Sequence, residues 1–195
     1  MEKPSAAIKF GTDGWRGIIG EDFTFANVRQ CAQGVASYVK SLQLDRKGLI
    51  VGYDTRFASR EFAKSVAEVM SGNGIRTYLA LRHAPTPVAS YSITNLGAAG
   101  AVIITASHNP SEWNGFKYRP EYAGSAPQDT LDILESYIAS DASHGLVRRM
   151  QLAEAQRTGL MEPVDLAPPY FRHVQKLLDL DRIRNAGIHI VADYM

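Results

Sequence analysis

The sequence predicts an α/β fold: a three-layer αβα domain on a mixed, mostly parallel four-stranded sheet, followed by the start of a second, similar domain. Three observations predict it. Short apolar runs rich in β-branched residues recur at 49–53, 75–81 and 101–104, each with the length of a buried strand. Amphipathic stretches at helical spacing alternate with them, as in βαβ units. Glycine or proline separates one run from the next, where the chain has to turn.

Composition sets the outer bounds. The chain has 195 residues, 45% of them hydrophobic, enough for one ordinary globular domain and a remainder. The formal net charge is +1, so no global field favours nucleic acid or an acidic membrane, and neither is expected as a partner. Cys31 is the only cysteine, which excludes an intramolecular disulfide and a cysteine zinc cluster and suits a reducing cytoplasm. Its helical setting marks it as a small core thiol. Met1-Glu2-Lys3-Pro4 leads into no long apolar region, and no apolar run approaches membrane-spanning length. Neither a signal peptide nor a membrane span is expected.

Residues 8–20 interleave four glycines with Phe10, Trp15, Ile18 and Ile19, which reads as a strand broken by tight turns. Arg16 sits between an aromatic residue and a glycine. Two readings stand there equally: a guanidinium aimed at a phosphate, or one left in solvent. Thr24 is a plausible N-cap for a helix carrying Phe25, Val28, Val35, Val39 and Leu42 on one face. The strand at 49–53 follows, with Asp54-Thr55-Arg56 at its carboxyl end, the edge where open α/β sheets bind ligands. Arg56 is therefore a candidate, although a salt bridge to Asp54 or Asp13 is the stronger reading. A second helix spans about 59–71 and ends at Gly72-Asn73-Gly74. The strand at 75–81 precedes a helix opened by Pro85-Thr86-Pro87 and closed at Gly97. His83 has no partner at metal-ligand spacing and reads as a surface or hydrogen-bonded histidine.

The strand at 101–104 leads into Thr105-Ala106-Ser107-His108-Asn109-Pro110. Pro110 lacks an N–H and pushes Asn109 out of the helical region, so the strand gives way to a loop. Residues 114–118 read as the return strand of a hairpin, which brings Lys117 back towards Ser107. A serine in a loop ordinarily just caps a turn. Here polar and cationic groups converge on one hydroxyl, which suits attack on, or transfer of, a phosphoryl group. A serine-hydrolase triad is a weak reading, because the side chains of adjacent residues such as Ser107 and His108 diverge. Beyond this loop a helix is predicted at 130–139, a polar connection at about 140–163, an amphipathic helix at 169–180, and a strand at 188–193. The expected division is 1–140 for the first domain, 141–185 for a connection and linking helix, and 186–195 for the first strand of a truncated second domain. A strand placed so close to the last residue gives the expectation of an N-terminal fragment.

The hexapeptide at 105–110, Asn114-Gly115-Phe116-Lys117, and the opening Gly11-Thr12-Asp13-Gly14-Trp15-Arg16-Gly17 together resemble the α-D-phosphohexomutases, the family of phosphoglucomutase and phosphomannomutase. The resemblance covers essentially the whole chain, as the first domain and opening strand of a four-domain enzyme. It implies an intramolecular phosphotransferase of the isomerase class. Ser107 would carry a phosphoryl group that moves between C1 and C6 of a hexose monophosphate through a bisphosphate intermediate. It implies Lys117 and His108 as acid/base candidates with Lys117 favoured, Arg16 as a stabiliser of phosphoryl charge, and Asn109 and Arg56 in support of the loop. It also implies Mg2+, with Ser107 contributing one ligand through its phosphate oxygen and the rest coming from a second domain. A glucose 1,6-bisphosphate-type activator is expected as well. The residues that select the sugar, metal and distal phosphate lie in later domains of that family. The competing expectation is therefore a non-catalytic α/β domain that binds phosphate or a partner without turnover. Thr105 and the glycine-rich opening lean towards glucose and mannose phosphates, and the oligomeric state is not legible.

Overall fold

The structure, a computed structural model, describes residues 8–11 and 13–193. Thr12 of the predicted opening motif lies outside the described residues. In chain order the elements are β1 (Trp15–Ile18), α1 (Phe25–Ser41), β2 (Leu49–Tyr53), α2 (Ser59–Gly72), β3 (Thr77–Ala80), α3 (Thr86–Leu96), β4 (Gly100–Ile104), β5 (Trp113–Pro120), α4 (Gln128–Ser143), α5 (Leu152–Arg157), β6 (Met161–Val164), α6 (Ala167–Leu177) and α7 (Leu180–Asn185). The strands form one sheet in the order β1-β5-β4-β2-β3-β6. The pairs β4–β2, β2–β3 and β3–β6 are parallel, whereas β5 runs antiparallel to both β4 and β1.

The predicted architecture is correct and its strand number is not: among the described residues the sheet has six strands, where four were expected. The hairpin return strand joins the ladder, and β6 lies inside the stretch predicted as a polar connection. β6 reads Met-Glu-Pro-Val and pairs Thr77 with Met161. A strand carrying proline has to sit at a sheet edge, where its missing donor costs nothing, so its sequence lacks the apolar run of a central strand. The sheet therefore continues past the domain boundary expected at residue 140. The amphipathic helix predicted at 169–180 is divided into α6 and α7, because Leu178 is extended and Asp179 caps the next helix through the Arg182 amide. Residues 188–193, predicted as a strand, form no ladder and are exposed.

Thr24 caps α1 as predicted, its Oγ1 accepting the Asn27 amide at 3.2 Å. That helix buries Val28, Cys31, Val35 and Val39, whereas Phe25 and Leu42, also expected inside, are exposed. α1 packs on α2 and α4, and α3 packs on α6; α2 and α3 both cover β2 and β4. The result is three layers with the apolar strands β2 and β4 fully enclosed. The interlayer fit is close. Gly52 admits Ala89 of α3, whose Cβ would lie 3.1 Å from a Cβ at position 52. On the other side, Gly34 of α1 lies against Ile138 of α4. Gln33 and Asn73 exchange side-chain hydrogen bonds in the buried gap between α1 and α2, and Gln33 also accepts the Arg148 amide.

The aromatic residues of the glycine-rich opening are what anchor it. Trp15 stacks on Phe23 at 4.9 Å, Phe23 meets Phe62 of α2 edge-on at 4.8 Å, and Phe10 meets Phe116 at 6.1 Å. Each such pair adds about 0.5–1.5 kcal/mol beyond its buried area. These contacts fix the register of β1 on β5, so the polar residues between them are held in place.

Candidate active site

The carboxyl ends of the parallel strands β2, β3 and β4 open onto a cleft of about 680 Å3, lined among others by Asp54, Arg56, Thr86, Thr105, Ser107 and Asn109. Loops at this edge are the usual ligand-binding position of an open α/β sheet. Ser107 stands here in the left-handed conformation, with φ +56, which non-glycine residues rarely adopt. Its amide donates to Thr105 Oγ1 at 3.0 Å, and the Asn109 amide donates to the Ala106 carbonyl at 3.1 Å. Thr105 remains tied to the sheet through its own amide and the Gly115 carbonyl.

Period-2 geometry of β5 supplies the lysine. Ile103 of β4 pairs with Lys117, and Arg16 of β1 pairs with Gly115. Residues 115, 117 and 119 share one face of the strand, while Phe116 and Tyr118 turn to the core. Gly115 leaves room on that face, since a Cβ there would lie 2.5 Å from the Thr105 carbonyl and 3.1 Å from Arg16 Cγ. Lys117 is only 4% exposed, and its Nζ donates to Ser107 Oγ at 2.8 Å. The same Nζ donates to Asp13 Oδ2 at 2.5 Å. Ser107 thus has one side to the cleft and the other to a buried ammonium.

Arg56 clamps the loop. Its Nη1 donates to the Pro110 and Trp113 carbonyls at 2.7 and 3.0 Å, and its Nη2 to the Ser107 and Asn109 carbonyls at 3.0 and 2.5 Å. The expected ion pair with Asp54 is present at 3.5 Å. Asp54 is fixed in turn by Ser59 Oγ at 2.8 Å, and Ser59 by the buried Asn114 at 2.9 Å. Arg16 donates to Asn109 Oδ1 at 2.8 Å, so it faces the loop. Behind the strand, burial pushes the Tyr118 phenol well above its ordinary range, with Tyr38 adding to the effect.

The predicted residues separate into two groups. Ser107, Lys117, Arg16, Asn109 and Arg56 form one connected network. His108 is exposed and makes no hydrogen bond to either Ser107 or Lys117 among the described residues. Two residues of this site escape sequence reasoning: Asp13, which bridges Lys117 and Arg119, and Arg119 itself. The signal that points to Arg119 is its i+2 spacing from Lys117 on the hairpin strand. Asp13 carries no such signal, because its place depends on β1 pairing with a strand some hundred residues on.

The described residues do not make a magnesium site on their own. Hard cations need several free oxygen ligands. Asp13 is committed to Lys117 and Arg119, Asp54 to Arg56 and Ser59, and no group of three or more acidic, histidine or cysteine side chains converges among the described residues. Ser107 offers one oxygen.

An enclosed, mostly parallel sheet with a serine–lysine pair and arginine-held loop at its carboxyl edge defines an α/β domain built around an edge-loop site. Comparison with known proteins gives the particular kind: the chain belongs to the phosphoglucomutase/phosphomannomutase family, whose alpha/beta/alpha domain I matches residues 7–144. A phosphoglucomutase of Komagataeibacter xylinus is 31% identical over an alignment of 209 positions, covering 98% of this chain and 37% of the relative. A Thermus thermophilus protein assigned as a phosphomannomutase superposes with a TM-score of 0.79 at 31% identity, covering 92% of this chain and 38% of that one. The Paramecium phosphoglucomutase parafusin, at 22% identity, shares the fold with a TM-score of 0.77 over 93% of this chain and 37% of its own. The chain spans little more than a third of the length of these relatives. The family is one of isomerases in carbohydrate metabolism. No helix among the described residues is long and apolar enough to cross a membrane.

Proposed function

We propose that this chain is the phosphoryl-carrying part of a phosphohexomutase that moves phosphate between C1 and C6 of a hexose monophosphate. The observation that carries the reading is the 2.8 Å contact from the buried Lys117 ammonium to the exposed Ser107 hydroxyl. A serine at the tip of a rigid strand, open to a cleft on one side and to a fixed proton donor on the other, suits a group that gives and takes a phosphoryl. When phosphoserine passes its phosphoryl to a sugar oxygen, the Oγ–P bond breaks and its electron pair returns to Oγ, beside Lys117 Nζ. On the return step Ser107 Oγ gives up its proton and bonds to the other phosphorus of the bisphosphate. The bond from that phosphorus to its sugar oxygen breaks with the electron pair on that oxygen, and the sugar oxygen takes up a proton to end as a hydroxyl. Arg16 adds positive charge at the loop, and Asn109 and Arg56 hold the loop's shape. His108 takes no step in this scheme. Magnesium enters only as an ion that a phosphate on Ser107 would share with ligands from outside the described residues. The single buried cysteine supports a cytoplasmic setting.

Alone, the chain is proposed to accept phosphate without isomerising a sugar, because the two carboxylates joined to the Ser107 network, Asp13 and Asp54, are already paired with cations. The test is to incubate it with magnesium and glucose 1,6-bisphosphate, then locate phosphate by mass spectrometry. The expected result is phosphate on Ser107, none after Ser107→Ala, and no conversion of glucose 1-phosphate by the isolated chain. Phosphate on another residue, or none in a folded protein, refutes the assignment of Ser107. Turnover by the chain alone refutes the non-isomerising view.

A further inference from the structure

The polar network at Ser107 continues past Lys117 to a carboxylate that the proposed chemistry does not use. Asp13 lies in the glycine-rich turn before β1. Its Oδ2 accepts from Lys117 Nζ at 2.5 Å, and its Oδ1 accepts from Arg119 Nη2 at 2.7 Å. The two cations stand two residues apart on one face of β5, so one carboxylate spans both. Arg119 is braced on its other side by Ser125 Oγ. The adjoining backbone is fitted to this contact. Gly14, at φ +107, lies so close to β5 that a Cβ would come within 2.5 Å of the Phe116 carbonyl and 3.0 Å of Lys117 Cγ. Only glycine lets the turn settle onto the lysine stem.

We infer that Asp13 is a positioning residue: with Arg119 fixing one carboxylate oxygen, its other oxygen holds Lys117 Nζ against Ser107 Oγ. Lysine is a flexible four-carbon stem with three donors and no fixed geometry of its own. Ser107 Oγ alone is a single neutral acceptor on an exposed residue. The carboxylate supplies the second, charged acceptor, and charge-assisted bonds are the stronger kind. Two acceptors on Nζ define where the third N–H can go, and the preorganised donor then needs no rearrangement when charge develops on Oγ.

The inference rests on the proposed role of Ser107, and two readouts keep the two ideas separable. The first needs no activity: the 15Nζ resonance of Lys117 in the intact chain. Doubly bonded and buried, it is expected as a resolved, slowly exchanging signal in the wild type. Asp13→Asn preserves shape but leaves one oxygen for two cations, and is expected to broaden or abolish that signal. The second is the rate of Ser107 phosphorylation by glucose 1,6-bisphosphate. In Asp13→Asn it should fall at least tenfold with the half-saturating concentration unchanged within twofold, and Asp13→Glu should recover part of it. If Asp13 serves stability alone, Asp13→Asn will melt lower yet keep both the Lys117 signal and the phosphorylation rate below its melting point, and the inference is overturned. If the wild type takes no phosphate, the proposed function fails, while the Lys117 signal still decides the place of Asp13. Should Asp13→Asn not fold, Arg119→Gln frees the carboxylate's other oxygen. Broadening of the Lys117 signal there supports the inference, and a sharp, unchanged signal overturns it.

Discussion

Replacing Arg56 with methionine keeps an apolar stem and removes a guanidinium that serves four carbonyls. Two of its bonds, to Trp113 and Asn109, are partly buried, whereas those to Ser107 and Pro110 are exposed. Water replaces the exposed pair. Each partly buried bond is worth about 1 kcal/mol net, so the loss is about 2 kcal/mol. The ion pair with Asp54 adds little, because Asp54 keeps the Ser59 hydroxyl and the residue 56 amide as donors. For a chain of this size about 1 kcal/mol moves the melting point by about 2–4 °C, which predicts a fall of about 4–8 °C by calorimetry. If the loop opens locally instead, the same energy appears as about thirtyfold faster exchange of the Asn109 amide. Lysine in place of Arg56 should behave almost like methionine, since a point charge cannot span the four carbonyls. A melting point within about 1 °C of wild type, together with unchanged exchange at Asn109, would show that the loop holds itself and that the clamp argument fails.

Two further outcomes follow from packing and burial. Gly34→Ala places a Cβ 2.3 Å from Ile138 Cγ1 and 3.0 Å from that residue's backbone. Overpacking of about 1–3 kcal/mol should outweigh the helix-propensity gain of about 1 kcal/mol and lower the denaturation midpoint, and a raised midpoint would show that α4 slides away without cost. Cys31 is fully buried, and burial pushes its thiol well above the ordinary range. It should not react with a thiol reagent at pH 8 in the native protein and should react fully in denaturant, because the thiolate is the nucleophile; rapid native reaction would mean that α1 opens.

The serine–lysine pair was legible in the sequence because it is local. A strand, a proline-terminated loop and a return strand fix their own register, and ten residues separate Ser107 from Lys117. Arg16 and Arg56 were legible as candidates from their flanking residues, but their targets were not. Arg16 bonds Asn109, 93 positions away, and Arg56 bonds backbone carbonyls, which leave no mark on composition. Asp13 was hidden for the same reason, since its partners are more than a hundred positions distant. β6 was missed because an edge strand need be neither alternating nor β-branched, and its sole partner among the described residues is β3. Periodicity reports what a segment buries; it does not report which strand comes to lie alongside.

The left-handed backbone at Ser107 connects these parts. Holding a non-glycine residue there costs about 1–3 kcal/mol, and such a conformation persists only where its surroundings overdetermine it. The surroundings here are the Thr105 hydroxyl on the Ser107 amide, the Arg56 clamp on the carbonyls of the loop, and the Lys117 ammonium on the side chain. Arg56 alone offsets about 2 kcal/mol, comparable to the strain. A glycine at 107 would relax the backbone but could carry no phosphate, and an extended loop would need no arginine but would turn the hydroxyl away from Lys117. The strain, the clamp and the buried lysine are therefore one arrangement: the first aims the hydroxyl, the second holds the aim, and the third waits where it points.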